Sequence, residues 1–390
     1  MGIREIAAES LDGLRARGIH RRMRLLDGVQ GPRMRVDGRE VLVFAGSNYL
    51  DLAHHPEVVE AAARAARDYG CASGGSRLIT GNLGIHEALE EELAKFFGVE
   101  AGLVFNTGYM ANVGVIPALV GRGDVVVSDA LSHASIIDGC RLSRAETRVF
   151  PHGDLGVLEE TLRDVAGRDR RVLLAVDGVY SMDGDVAPLP DLVTLARRYG
   201  ALVLLDDAHG TGTLGAGGRG SAELHGAIDD VDVHMGTLGK SLGSFGAFVA
   251  GAAELRELLV NLSRSFIFSC ALSPPQVEAA RVALRLVRCE PWRREALQYN
   301  AELLRKTLAQ RGISTWPSTT HILPVHLGDN ARAMAVCEAL LERGFFAQGI
   351  RYPSVPEGTA RLRITPMATH TAEDVVALAD AVAEEIAARP

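Results

Sequence analysis

Short apolar runs alternate with amphipathic stretches through the middle of the chain. The runs are LVF (103–105), DVVV (124–127), RVLLAV (171–176), ALVLL (201–205), VDVHM (231–235) and AFVA (247–250). Each is the length of a buried strand, and helical patterns lie between them. The clearest helical pattern is HEALEEELAKFFG (86–98), with Leu89, Leu93, Phe96 and Phe97 on one face and Gly98 as its stop. Strands alternating with helices predict an α/β fold built on a mostly parallel central sheet flanked by helices.

The pattern differs at both ends. Residues 1–45 read as an N-terminal arm: a first helical stretch carries Leu11 and Leu14, a basic cluster follows at Arg21, Arg22 and Arg24, and a short strand, VLVF, occupies 41–44. Residues 46–285 form the expected large α/β domain. From 286 to 390 a smaller α+β unit is expected. There, helical stretches at roughly 291–311 and 330–343 flank ILPVHL (322–327), and RLRIT (361–365) precedes a helix from Glu373. No repeat or low-complexity tract interrupts this order.

Composition narrows the function classes. A chain of 390 residues exceeds one simple core, and 47% apolar with 23% charged residues reads as globular. The net charge of −8 weighs against nucleic acid as a main partner. Cys71, Cys140, Cys270, Cys289 and Cys337 are scattered and odd in number, which predicts neither a disulfide framework nor a zinc site and fits a reducing cytosol. No apolar run reaches membrane-spanning length, and MGIREIAAES lacks a signal-peptide core, so a cytoplasmic protein is expected.

Several glycine-rich stretches imitate known sites. The GKS at 239–241 ends like a Walker loop, but the glycine required five residues before Gly239 is His234. GAGGRG (215–220) matches a dinucleotide fingerprint but sits ten residues past its strand. DGD (183–185) lacks the rest of a calcium loop. HExxH does not occur.

The remaining polar residues gather at predicted strand ends, where open α/β sheets bind ligands. Asp206 is the first polar residue after five apolar ones, and Lys240 closes TLGK (237–240) after the next strand. Such a lysine can form a Schiff base with the aldehyde of pyridoxal phosphate (PLP), and such a carboxylate can keep the pyridine nitrogen protonated. Singly, Asp206 reads equally as a helix cap and Lys240 as a surface lysine. Together they point to PLP chemistry. FNTGYMAN (105–112) adds a strand end, a glycine turn at Gly108 and a helix start that can cradle an anion, with Tyr109 beside it. His133 in SHAS, Ser181 in DGVYSMDG, His209 in DDAHG and Thr237 close other strands. A lone histidine or turn serine is more often structural; the set is what carries weight.

SGGS (73–76), SHAS (132–135), YSMDGD (180–185), DDAHGTG (206–212), TLGK (237–240) and GTARLR (358–363) together resemble the α-oxoamine synthases, a family of fold-type-I PLP-dependent transferases. The resemblance covers nearly the whole chain. It implies a homodimer with active sites at the subunit interface. The implied reaction is decarboxylative condensation of an amino acid with an acyl thioester. DDAHGTG and IRYPSVPEGTARLR (350–363) are most similar to members that join L-alanine to pimeloyl-CoA or the pimeloyl-carrier-protein thioester; glycine with a short acyl-CoA is the alternative. Carried over by motif, Lys240 holds the cofactor, Asp206 meets its pyridine nitrogen, and His133 stacks on its ring. Ser181 and His209 lie near its phenolic oxygen, and Gly108, Tyr109 and Thr237 bind its phosphate. Arg21 and Ser354 match substrate positions. Arg363 is the expected partner of the amino-acid carboxylate, and Arg351 faces the acyl chain or its far carboxylate. The chain departs from the family at SNYLD (47–51), with Ser47 in place of Asn and Asp51 in place of Gly, and at Ser354 in place of Thr.

Overall fold

The computed structural model describes residues 2–167 and 169–389. It divides into two compact units. One comprises 1–46, 182–184 and 296–390; the other comprises 47–181 and 185–295. The N-terminal segment therefore clusters with the C-terminal one.

In the first unit, the helix Ile3–Ala16 buries none of its residues. Strands β1 (Leu26–Asp27), β2 (Arg33–Val36) and β3 (Arg39–Val43) follow. The larger unit holds a seven-stranded sheet of β4 (Ala101–Phe105), β5 (Val125–Asp129), β6 (Glu146–Phe150), β7 (Val172–Asp177), β8 (Leu202–Asp206), β9 (Val233–Thr237) and β10 (Ala247–Gly251). Their spatial order is β4-β10-β9-β8-β7-β5-β6, and β10 runs antiparallel to both neighbours while the others are parallel. The first unit then adds β11 (Leu323–Gly328), β12 (Phe345–Phe346), β13 (Gln348–Ile350) and β14 (Ala360–Ile364). β11, β14 and β13 form an antiparallel sheet, and β12 joins β3.

All six apolar runs form strands of the large sheet. Successive side chains of a strand point to opposite faces, so each run supplies two cores. Val125, Val127, Leu174, Val176, Val203 and Leu205 pack on one side with Leu158, Leu162 and Leu192 from the helices Leu155–Val165 and Leu189–Tyr199. Val126, Leu173, Ala175 and Leu204 pack on the other with Ile116 and Ile136 from the helices Gly108–Leu119 and Ala134–Ser143. The seventh strand, β6, has no apolar run. It is a sheet edge whose ETRV residues are all exposed, so nothing demanded a continuous apolar pattern.

Helix boundaries follow capping chemistry. The Asp154 carboxylate accepts the Val157 N–H, and the Thr107 hydroxyl accepts the Met110 N–H. Gly98, with φ of +75°, ends the helix Gly84–Phe97, close to the stop read from HEALEEELAKFFG.

One buried ionic cluster fastens this last helix to the sheet. Glu90, 2% exposed, accepts from Arg77 at 2.6 Å, from Arg256 at 3.0 Å and from the Val104 N–H of β4 at 3.0 Å. Its neutral isostere leaves two guanidiniums short of their counter-charge inside the protein. Glu90→Gln should lower the unfolding free energy by about 3 kcal/mol, read as an earlier midpoint in denaturant with unchanged slope.

Candidate active site

Five strand ends of the large sheet open on one cavity of about 260 Å³. Asp177 ends β7 and Asp206 ends β8; the two are paired in register and each is 5% exposed. Two carboxylates in so dry a place cannot both ionise cheaply. Burial, and then the charge of Asp206, push Asp177 well above the ordinary carboxylate range, against the opposing pull of the His133 N–H. Oδ2 of Asp206 accepts from Asn112 at 2.7 Å, and its Oδ1 accepts from the Ala208 N–H at 3.1 Å.

Asn112 also reaches His133. Its second amide hydrogen goes to the Ser135 hydroxyl at 2.9 Å, and that hydroxyl lies 2.7 Å from Nδ1 of His133. Nδ1 further accepts the Ser135 N–H at 3.3 Å, capping the helix Ala134–Ser143. An accepting Nδ1 places the proton of the neutral ring on Nε2. The His133 backbone N–H donates to Asp177 at 2.9 Å, so both carboxylates help fix this residue. Its ring is open to the cavity instead of packed in the core. The walls around it lower its pKa by desolvation; Asp206 opposes that shift and Lys240 adds to it.

On the opposite side, the first turn of the helix Gly108–Leu119 lies against Thr237 at the end of β9. A Cβ at Gly108 would stand 2.8 Å from Cγ2 of Thr237 and 3.0 Å from Cε of Met235, so only glycine permits this approach. The first turn of a helix leaves its leading N–H groups without intrahelical partners, which suits a phosphate. Thr237 donates to the Ala208 carbonyl at 3.3 Å. The Tyr109 hydroxyl donates to Asp138, and that bond raises the phenol's pKa. Lys240 lies beyond Gly239 and, like His209, lines the cavity.

Seven of the sequence-predicted residues therefore surround one cavity: Gly108, Tyr109, His133, Asp206, His209, Thr237 and Lys240. Ser181, four residues past the end of β7, is half-buried and not among its walls. Asn112, Ser135 and Asp177 were missed, although all three stand in motifs already picked out. Asn112 had a usable signal: it is a polar residue in an otherwise apolar helix face, and it is fully buried.

The residues around the cavity fit PLP. Asp206 is a buried carboxylate whose hydrogen-bond donors are a neutral amide and a backbone N–H, so a protonated pyridine nitrogen would bring it a bonded cation. The Gly108 approach makes an anion cradle, and Lys240 supplies the amine. The chain has three lysines; the side chains of the other two, Lys95 and Lys306, are 75% and 69% exposed.

The predicted substrate residues lie in the other unit. Arg21 and Ser354, 333 residues apart in sequence, are joined by a 3.2 Å hydrogen bond. With Arg351, which donates to the His20 carbonyl at 2.6 Å, they line a groove of about 860 Å³ that also carries Arg17, Arg22 and Arg24. Arg363 is buried in β14, where its charge, after desolvation, helps push His321 down to about 3.

Elsewhere in the larger unit, His152 bridges Asp129 at 3.0 Å and Asp185 at 3.0 Å, which raises it to about 10. The folded state thus holds this proton more tightly than the unfolded chain, whose histidine titrates near 6.5. The stabilisation is complete below about pH 6.5 and is lost as pH climbs toward 10. The thermal midpoint should fall across that window, and His152→Gln should flatten the decline in a series of melting scans.

A model of the family "Aminotransferase class I and II" matches residues 39–382. The 8-amino-7-oxononanoate synthase of Geobacter sulfurreducens is 53% identical over 374 residues, covering 95% of each chain. That of Symbiobacterium thermophilum is 44% identical over 375 residues, 96% of each. Among solved structures, serine palmitoyltransferase from S. paucimobilis, holding PLP bound to myriocin, superposes with a TM-score of 0.93 at 32% identity, covering 98% of this chain and 97% of that one. The 8-amino-7-oxononanoate synthase from Francisella tularensis gives a TM-score of 0.77 at 25% identity, covering 89% and 98%. Matched by the family model over most of its length, and by near-full-length relatives at about half identity, the chain belongs to the aminotransferase class I and II family and, within it, to the α-oxoamine synthase group.

Proposed function

We propose that this chain is a PLP-dependent acyltransferase. It joins L-alanine to a pimeloyl thioester, on coenzyme A or a carrier protein, and yields 8-amino-7-oxononanoate, CO2 and the free thiol, a step of biotin biosynthesis. The observation that carries the reading is the cavity holding Asp206 and Lys240 at successive strand ends, in a chain 53% identical to a synthase of that name.

Bound at this cavity, PLP supplies an electron sink for negative charge at the α-carbon of the amino acid. Asp206 keeps the acceptor end of that sink protonated. Gly108, Tyr109 and Thr237 hold its phosphate. The Lys240 amine would anchor the cofactor and, when free, would take the α-proton of the amino acid. His133 covers one face of the site, and its Nε2–H can donate to the thioester carbonyl as carbon–carbon bond formation begins. His209 would donate near the cofactor's phenolic oxygen, a role that Ser181 shares by its motif alone. The Arg363 guanidinium clamps the alanine carboxylate, and Arg21, Arg351 and Ser354 hold the thioester substrate. The carboxylate leaves as CO2 after the thiol has departed.

The chain works as a homodimer in this reading. Leu78, Ile79 and Phe268 expose large apolar surfaces on the larger unit, as a face awaiting a second copy would.

Mass spectrometry of the product from alanine and pimeloyl-CoA tests the reaction, and Lys240→Ala should abolish both product and the visible absorbance of bound cofactor. Preference for glycine with acetyl-CoA, or product formation by the variant, contradicts the proposal. Arg363→Lys keeps the charge but loses the two-pronged geometry, so the KM for alanine should rise about tenfold in steady-state assays, with a smaller change in kcat.

A further inference from the structure

His209 lines the cavity, yet one nitrogen of its ring is engaged elsewhere. Its Nδ1 lies 2.7 Å from the hydroxyl of Tyr49, a residue 1% exposed that takes no part in the cavity wall. A neutral phenol is a far stronger acid than the N–H of a neutral imidazole. It is therefore the better donor, and the imidazole nitrogen the better acceptor, so the Tyr49 hydroxyl donates, Nδ1 accepts, and the ring's own proton sits on Nε2.

The segment carrying Tyr49 is held firmly enough to impose this. Oδ1 of Asn48 accepts from the N–H groups of Leu52 and Ala53 at 3.1 and 3.2 Å, and its Nδ2 donates to Asp51 at 3.1 Å. The Leu50 carbonyl accepts from buried Arg293 at 2.9 Å. Leu50 and Leu52 are fully buried. Gly243, in the turn after Lys240, packs so closely that a Cβ there would stand 2.3 Å from the Ala53 nitrogen. Asp51 has φ of +54°, a left-handed conformation that aspartate tolerates better than most residues. The family's glycine is thus replaced by a residue that keeps the turn and adds a bond to Asn48.

We infer that Tyr49 is a positioning residue that fixes His209 in its Nε2-protonated form, so that His209 offers the cavity a hydrogen-bond donor instead of an acceptor. The inference rests on the PLP reading for what His209 faces, a phenolic oxygen, but the tautomer belongs to the protein alone.

The test uses the full-length chain labelled with ¹⁵N-histidine, with and without added PLP, and a His209→Asn variant to identify the resonance. Expected is a protonated Nε2 and a hydrogen-bonded, unprotonated Nδ1 in both states. In Tyr49→Phe the Nδ1 signature should be lost. The pH midpoint of the bound cofactor's absorbance should move by about one pH unit, a tenfold change in proton affinity. Turnover should fall about tenfold while the thioester KM stays within about twofold. A protonated Nδ1 in the unsubstituted chain overturns the inference, as does a Tyr49→Phe protein whose absorbance titration is unmoved. If Tyr49→Phe does not fold, the tautomer of the unsubstituted chain decides the matter. A chain that takes up no PLP strikes the cofactor reading, while the cofactor-free spectrum still decides the role of Tyr49.

Discussion

Two carboxylates set side by side in a dry part of the sheet are the constraint to which the rest of this molecule answers. Asp206 sits at the end of β8, register-paired with Asp177, where ionisation of both would be prohibitively expensive. The fold resolves the conflict by asymmetry. Asp177 is driven toward protonation and spends an oxygen on the His133 N–H, while Asp206 accepts from Asn112 and Ala208. Both carboxylates face the cavity that Lys240 borders.

The cavity residues are in turn set by groups behind them. Asn112 spends one hydrogen on Asp206 and the other on Ser135, which orients His133. Tyr49 occupies Nδ1 of His209. Both arrangements leave Nε2 as the protonated nitrogen, so both histidines meet the cavity as donors. His152 ties Asp129, at the end of β5, to Asp185, in the turn that follows β7. Behind the cavity wall, one amide and two hydroxyls thus orient the side chains that line it.

The strands of the large sheet were readable because strands buried on both faces must be apolar throughout; β5, β7, β9 and β10 each bury all their residues. The exposed edge strand β6 escaped for the converse reason. The residues that close strands were readable too, since polarity that interrupts an apolar run at its carboxyl end marks a ligand crevice. Tyr49 was not, because it looks like ordinary loop chemistry until its partner, 160 residues away, is known; Asn112 left a trace of polarity in its helix, but not the identity of its partner.

By itself the sequence determined the α/β class and the strand ends that meet at the cavity, those of Asp206 and Lys240 among them, because burial and period leave direct traces in residue order. Tertiary structure alone decided that Asp177 and Asp206 stand side by side, that Asn112 links Asp206 to His133, that Gly108 must have no side chain against Thr237, and that Asp51 preserves a left-handed turn. Protonation and hydrogen-bond direction depend on distances between residues far apart in the chain, and no local pattern encodes a distance.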